Sequence, residues 1–228
     1  MLRTDLAAEF QKRGPWITKF VVEGQSYGGD YDAMNDPRLD QFFQGFPEAH
    51  TIMELGSFEG GHTLALARRP QVTRVLGVEG RAYNIERARF AQGLLNVANV
   101  EFKELNLEKQ DLSRLGNFDA VYCVGLLYHL PRPWELVQKI SRVTSHCFIW
   151  THYTNQKDGL KKVNGFEGIF VPEHGLKDPL SGLSVNSFWP TLDSLRAMLT
   201  KAGYSTIQII EDNAQHPHGP SVTLAASR

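Results

Sequence analysis

At 228 residues, 42% of them apolar and 21% charged, the chain has the size and composition of one globular domain with a sizeable core, which excludes an intrinsically disordered segment. Its 24 basic and 25 acidic residues leave a formal charge of −1 with no block of like sign, so nothing advertises a nucleic acid or an anionic membrane as an electrostatic partner. Cys123 and Cys147 fall in apolar runs and are expected as buried reduced thiols, and with no signal-type or spanning apolar run the expected location is the cytoplasm.

A helix is expected near 3–13. The rest of residues 1–48 is dense in irregularly spaced aromatics, among them Trp16, Phe20, Tyr27, Tyr31, Phe42 and Phe43, and reads as an N-terminal cap over the ligand edge of a sheet. Stretches 24–31 and 35–38 carry small, polar groups of the kind that close over a site, which makes Tyr27, Tyr31 and Arg38 candidate substrate contacts. The planar fork of Arg38 suits a substrate carboxylate; a local Asp36–Arg38 pair that fixes a turn is the competing reading.

Residues 49–154 read as a cofactor-binding core, with strands near 51–55, 73–79, 99–104, 118–124 and 145–151 alternating with helices near 61–69, 82–95 and 132–143. Pro131 and Pro133 suit the first turn of the last helix. Such alternation implies an α/β, Rossmann-like, doubly wound and mostly parallel sheet, with right-handed crossovers bringing the strand ends to one ligand-binding edge. Residues 155–190 show little periodicity and many glycines and prolines, and are expected as a lid or substrate-binding insertion without regular structure. Residues 191–228 begin with a helix capped by Thr191 and closed by Gly203. All four parts belong to a single domain.

The chemistry centres on Ile52-Met-Glu-Leu-Gly-Ser-Phe-Glu-Gly-Gly-His-Thr63, an apolar strand that breaks into a glycine-rich turn and then a helix. Glu79 ends the next strand, 23 positions after Gly56, where a doubly wound sheet places the carboxylate that accepts both hydroxyls of a ribose. A dinucleotide site would want glycine where Phe58 stands, and Glu54 and Glu59 would repel a diphosphate. The same carboxylates suit a cationic ligand.

The pattern Glu54-x-Gly56-x-x-x-Gly60 followed by Glu79 resembles the first two motifs of the class I S-adenosylmethionine-dependent methyltransferases. Residues 100–107 are similar to the family's third strand and turn, and Phe118-Asp-Ala-Val-Tyr-Cys-Val-Gly-Leu-Leu-Tyr-His-Leu-Pro-Arg-Pro133 to its fourth strand and exit loop. The Glu-Leu-Gly-Ser-Phe-Glu-Gly-Gly-His-Thr and Leu-Tyr-His wording is closest to the branch of the tRNA wobble-uridine carboxymethyltransferase and its relatives. The resemblance implies a seven-stranded sheet ending in an antiparallel hairpin, here 205–211 with 221–226, and S-adenosylmethionine as cofactor. It implies cofactor contacts at Glu54, Gly56, Ser57, Gly60, Glu79, Gly80, Arg81, Asn106, Leu107 and Gly125, with Asn106 and the Leu107 backbone at the adenine.

Transfer to an oxygen or nitrogen of a small-molecule acceptor then calls for a base. His129 leaves the fourth strand on the ligand edge and imidazole titrates near neutral pH; a histidine that merely orders the loop before Pro131 is the alternative. Tyr128, His152 and Tyr153 are further acceptor contacts, the last two competing with a reading as solvated loop residues. His62 is expected in a capping or packing role. Glu54 could cap the following helix, but Glu59 stands nearer that N-terminus, which leaves Glu54 for the cofactor's amino group or water shell. Arg81 is expected to pair with Glu79, cover the adenine or form a surface salt bridge. No Cys or His spacing matches a metal pattern and no metal is expected, a scattered set of Glu173, His152 and His129 being the alternative. Three other functions compete: a tRNA-modifying methyl- or carboxymethyltransferase, which wants a basic stripe and an extra cation such as Arg38 or Arg81; a binding domain that keeps the fold; and a nicotinamide-dependent oxidoreductase. The expected partner is a small-molecule acceptor, without a membrane, and a homodimer is allowed.

Overall fold

The computed structural model describes residues 3–228, in two compact units, one reaching Leu105 and the other Asn106–Arg228. In the first, α1 (Arg3–Arg13) precedes an antiparallel hairpin of β1 (Lys19–Val22) and β2 (Gln25–Gly28). Then come α2 (Arg38–Gly45), β3 (Thr51–Leu55), α3 (Gly61–Ala67), β4 (Arg74–Glu79), α4 (Ala82–Leu95) and β5 (Val100–Glu104). Strands β3 and β5 flank β4, both parallel to it. β3 and β4 are buried along almost their whole length, which is why they are continuous apolar runs rather than alternating ones.

The aromatics of the N-terminal segment form a small core of their own. Phe10 of α1 stacks on Tyr27 at 5.1 Å, and Trp16 and Phe90 approach it at 5.0 and 5.2 Å. Phe90 belongs to α4, so the segment is fastened to that helix. Rings of this size contribute ~1.5–3 kcal/mol each when fully buried.

The second unit contains β6 (Ala120–Val124), α5 (Pro133–Ser141), β7 (His146–His152), β8 (Lys161–Val163), β9 (Phe166–Pro172), β10 (Asn186–Pro190), α6 (Leu192–Lys201), β11 (Thr206–Asn213) and β12 (Ser221–Ser227). β6 and β7 are parallel, and β12 runs antiparallel to both β7 and β11. Strands β3 to β7 with the β11–β12 hairpin make up a seven-stranded, mostly parallel sheet, the expected α/β architecture. Pro133 stands in the first turn of α5, and the Thr191 hydroxyl caps α6 by accepting the Ser194 N–H at 3.2 Å.

Residues 155–190 differ from the irregular connection that their glycines and prolines suggest. They fold into a three-stranded antiparallel sheet in the order β10-β9-β8. Phe166 and Phe188 of that sheet pack with Trp134 of α5 and Met198 of α6, so the insertion has an apolar anchor. Among the described residues no helix is long and apolar enough to cross a membrane.

Candidate functional site

The glycine loop is built by hydrogen bonds back to β4. The N–H groups of Gly56 and Ser57 both donate to the Val78 carbonyl, at 2.9 and 3.0 Å, and Gly60 N–H donates to Ser57 O at 2.8 Å. Phe58 is left-handed at φ 50°, and its N–H donates to Glu79 Oε2 at 3.0 Å; Glu79 Oε1 accepts from Arg81 N–H at 2.9 Å. The Glu79 carboxylate thus ties the loop to the exit of β4 through Gly80. Its burial raises its pKa, against the opposing pull of those amides and of Arg81. Among the described residues Ser57 Oγ is buried without a hydrogen-bond partner, a cost of ~1–3 kcal/mol that a polar ligand group would remove.

Gly60 starts α3 at φ +85°, and a Cβ there would come within 2.9 Å of both Ala88 Cβ and Phe102 Cζ. Gly60→Ala is therefore expected to cost about 2–3 kcal/mol through left-handed strain and overpacking. A thermal melt is the check; an unchanged midpoint would show that this loop is not pinned against α4 and β5.

Several charged candidates have partners that the sequence did not suggest. Glu54 is not free: its Oε2 accepts from the Thr63 hydroxyl and its Oε1 lies 3.6 Å from His62 Nδ1. Glu59 is no helix cap; it is fully buried and accepts from the N–H groups of Ile17 and Thr18, with Arg87 at 3.1 Å. Arg81 is buried, which overturns the surface salt bridge. Arg38 takes the local alternative: its Nε and its backbone N–H donate to Asp36 Oδ1 at 2.8 and 2.9 Å. Tyr31 OH also donates to Asp36, at 2.8 Å, and His62 Nε2 lies 3.1 Å from Asp36 Oδ2. Tyr27 is a buried ring of the N-terminal aromatic core.

In the second unit Asn106 opens a local turn, its Oδ1 accepting from Glu108 N–H at 3.0 Å, and Leu107 is buried with its carbonyl taking the Lys139 ammonium at 2.7 Å. Gly125 ends β6 at φ +77°, where a Cβ would meet nothing within 4 Å. Beyond it a short 3-10 turn, Leu127–His129, presents Tyr128 and His129. The Tyr128 ring lies 4.1 Å from His129, 4.6 Å from His152, 5.8 Å from Trp150 and 6.1 Å from Trp189. His152 stacks on Trp189 at 4.9 Å and its Nδ1 bonds the Gly219 carbonyl at 2.9 Å. Burial, helped by His216 and His218, lowers its pKa despite that bond, so it is neutral at neutral pH. Tyr153 is buried and donates to Asp212 at 2.7 Å; burial first, then the carboxylate, pushes its pKa up to about 12. Neither residue is a solvated loop side chain.

The sequence offers His129 as a candidate base and Glu173 only as a member of a scattered metal set; the structure pairs the two. Nδ1 of His129 is 2.9 Å from Glu173 Oε1, and Glu173 Oε2 accepts from the Ser181 hydroxyl and, at 2.9 Å, from Gly182 N–H. Burial alone would raise the Glu173 pKa, but these three partners bring it down to about 2. Its contribution to stability is thus complete above its unfolded value, about 4.3, and lost as pH falls through about 2. Among the described residues no three His, Cys, Asp or Glu side chains form a group that could hold a metal.

The model of the methyltransferase domain family matches residues 53–146. Over its whole length the chain is 35% identical to the N-terminal domain of EvdMO1, of which it covers 97%. The TM-score is 0.90 for the form with S-adenosylhomocysteine (SAH) bound and 0.89 for the form crystallised in the presence of SAH and D-fucose. Ubiquinone biosynthesis O-methyltransferases of Acinetobacter baylyi and Neisseria meningitidis are 27% identical over 121 and 127 residues, which are 52% and 54% of this chain. The chain spans about half the length of these curated relatives, 50% and 53%. From the whole-length likeness to an SAH-binding domain, the family match and a loop with the expected glycines and carboxylates, it follows that the chain belongs to the class I S-adenosylmethionine-dependent methyltransferases.

Proposed function

We propose that the chain transfers a methyl group from S-adenosylmethionine to a hydroxyl oxygen of a small, sugar-sized acceptor, with His129 taking the hydroxyl proton. The observation that carries this reading is the aromatic group next to His129: its imidazole lies against partly exposed Tyr128, whose ring in turn meets partly exposed Trp150 and Trp189 and the His152 that stacks on Trp189. Aromatic faces of this kind pack against the C–H faces of a sugar while an adjacent polar group addresses its hydroxyls. Support comes from relatives whose names specify oxygen as the acceptor and from one crystallised in the presence of D-fucose.

The first unit's loop fits the cofactor. Glu79 would accept the ribose hydroxyls, and the orphaned Ser57 Oγ would meet its amino-acid end. When bound, the cofactor supplies an electrophilic methyl carbon on a sulfonium, whose carbon–sulfur bond breaks as the carbon–oxygen bond forms. The protein orients the acceptor oxygen, excludes water and holds the released proton on His129.

Glu79→Ala removes the charge-assisted acceptor and is expected to weaken SAH binding about 10- to 100-fold by calorimetry, in line with about 1.5–3 kcal/mol for such bonds. Unchanged affinity would put the ribose elsewhere. Incubation with methyl-labelled cofactor and a panel of 6-deoxyhexoses including D-fucose tests the acceptor, and label in the sugar is expected. Label in the RNA of an extract, with none in any sugar, would favour the tRNA-modifying alternative, to which the evenly mixed charge gives no support.

A further inference from the structure

From the β9–β10 connection we infer that Glu173 is a positioning residue for the methyl transfer: it fixes His129 with the proton on Nδ1, so that Nε2 presents its lone pair to the acceptor hydroxyl. The inference rests on the proposed role of His129 as base. Three observations support it.

First, the Glu173 carboxylate is aimed at one ring nitrogen. Its Oε1 is 2.9 Å from Nδ1, and Nε2 has no hydrogen bond among the described residues. A carboxylate at neutral pH only accepts, so Nδ1 must donate, and in a neutral imidazole the lone pair then lies on Nε2. Second, the carboxylate is itself held. Its other oxygen accepts from Ser181 and from Gly182 N–H, and both side chains of the pair are largely buried, 17% and 9% exposed. Third, the turn that carries these donors is moulded to the histidine. A Cβ at Gly182 would lie 2.4 Å from the His129 carbonyl oxygen, so only glycine lets the turn come this close.

In the reaction the acceptor O–H bond breaks, an N–H bond forms at Nε2, and the resulting imidazolium faces the negative charge of Glu173. The pair passes from a neutral ring beside an anion to an ion pair without moving a heavy atom. An orienting carboxylate behind a base acts in this way wherever it occurs. It gives the strand-forming insertion a task that a plain lid would not have.

Glu173→Gln keeps the size and the contacts of the side chain but removes its charge and lets it donate as well as accept. The first readout is independent of the acceptor. Nitrogen NMR of protein labelled in its histidine rings is expected to show His129 with a protonated Nδ1 and a bare Nε2, and a mixture of the two tautomers in the variant. The second is kinetic: kcat is expected to fall about 10- to 100-fold, with KM and SAH affinity unchanged, the range seen for orienting partners. An unchanged tautomer signal, or a loss of SAH affinity in step with kcat, would overturn the inference. If Glu173→Gln does not fold, Glu173→Asp, which keeps the charge but withdraws it by a methylene, is read in the same way. Should the wild type label no sugar, the acceptor reading fails, while the tautomer signal still decides the part played by Glu173.

Discussion

Replacing His129 by alanine is expected to lower kcat by ~10²- to 10⁴-fold, the usual contribution of a positioned base, while SAH affinity stays as it was. The scaffold gives reason to expect this separation. The turn that carries His129 is closed by its backbone, with the His129 N–H on the Leu126 carbonyl at 2.9 Å and Leu130 N–H on Leu127 at 3.2 Å, so it does not depend on the ring. The ring's removal leaves Glu173 two of its three partners, Ser181 and Gly182, and a space the size of an imidazole beside Tyr128. Added imidazole can enter such a space, and partial recovery of turnover by imidazole in the medium would identify the missing function as proton acceptance. Proportional losses of kcat and SAH affinity, without recovery, would make His129 a scaffold residue and leave alignment as the main source of rate.

What was legible in the sequence follows from how local each signal is. β3, β4 and β6 are buried on both faces, so each had to be a short apolar run, and each ends at the residue where the run breaks. The glycine loop was legible because Gly56 and Gly60 take positive φ, which few other residues tolerate. β9 was missed for the opposite reason. Gly168 reads as a loop residue, yet it is there because a Cβ would lie 2.3 Å from the Trp189 carbonyl oxygen of the neighbouring strand. The contacts of Glu59 with Ile17 and Thr18, and of His129 with Glu173, join residues about forty positions apart, and no periodicity encodes such pairs. Glu54 and Arg38 were recognised as charged groups near a ligand edge but are engaged by His62 with Thr63 and by Asp36.

Asp36→Asn is expected to destabilise the protein by about 3–5 kcal/mol, the range for breaking one side of a buried ion pair. His62 stands in the first turn of α3, where the helix dipole disfavours a cation, and it is buried. Burial would lower its pKa, but the hydrogen bonds to Asp36 and Glu54 raise it above the ordinary value. For Asp36 burial acts upward, and the bonds from Arg38 and His62 outweigh it and hold the carboxyl well below its usual range. These shifts set opposite limits. The Asp36 contribution is present above its unfolded pKa near ~3.9 and fades as pH falls through the depressed folded value, whereas the His62 contribution is complete below ~6.5 and fades as pH rises through the raised one. The stability difference between wild type and Asp36→Asn should therefore be widest between about pH 4 and 6.5 and narrow as pH rises through the raised folded value of His62, beyond which a neutral ring can still hydrogen-bond the carboxylate but no longer pairs with it as a charge. Urea denaturation at pH 5.5 and pH 9 reads this directly. A difference that did not change between them would mean that His62 keeps a single charge state from about pH 5.5 to about pH 9, so that its titration does not set the pH dependence of this pair.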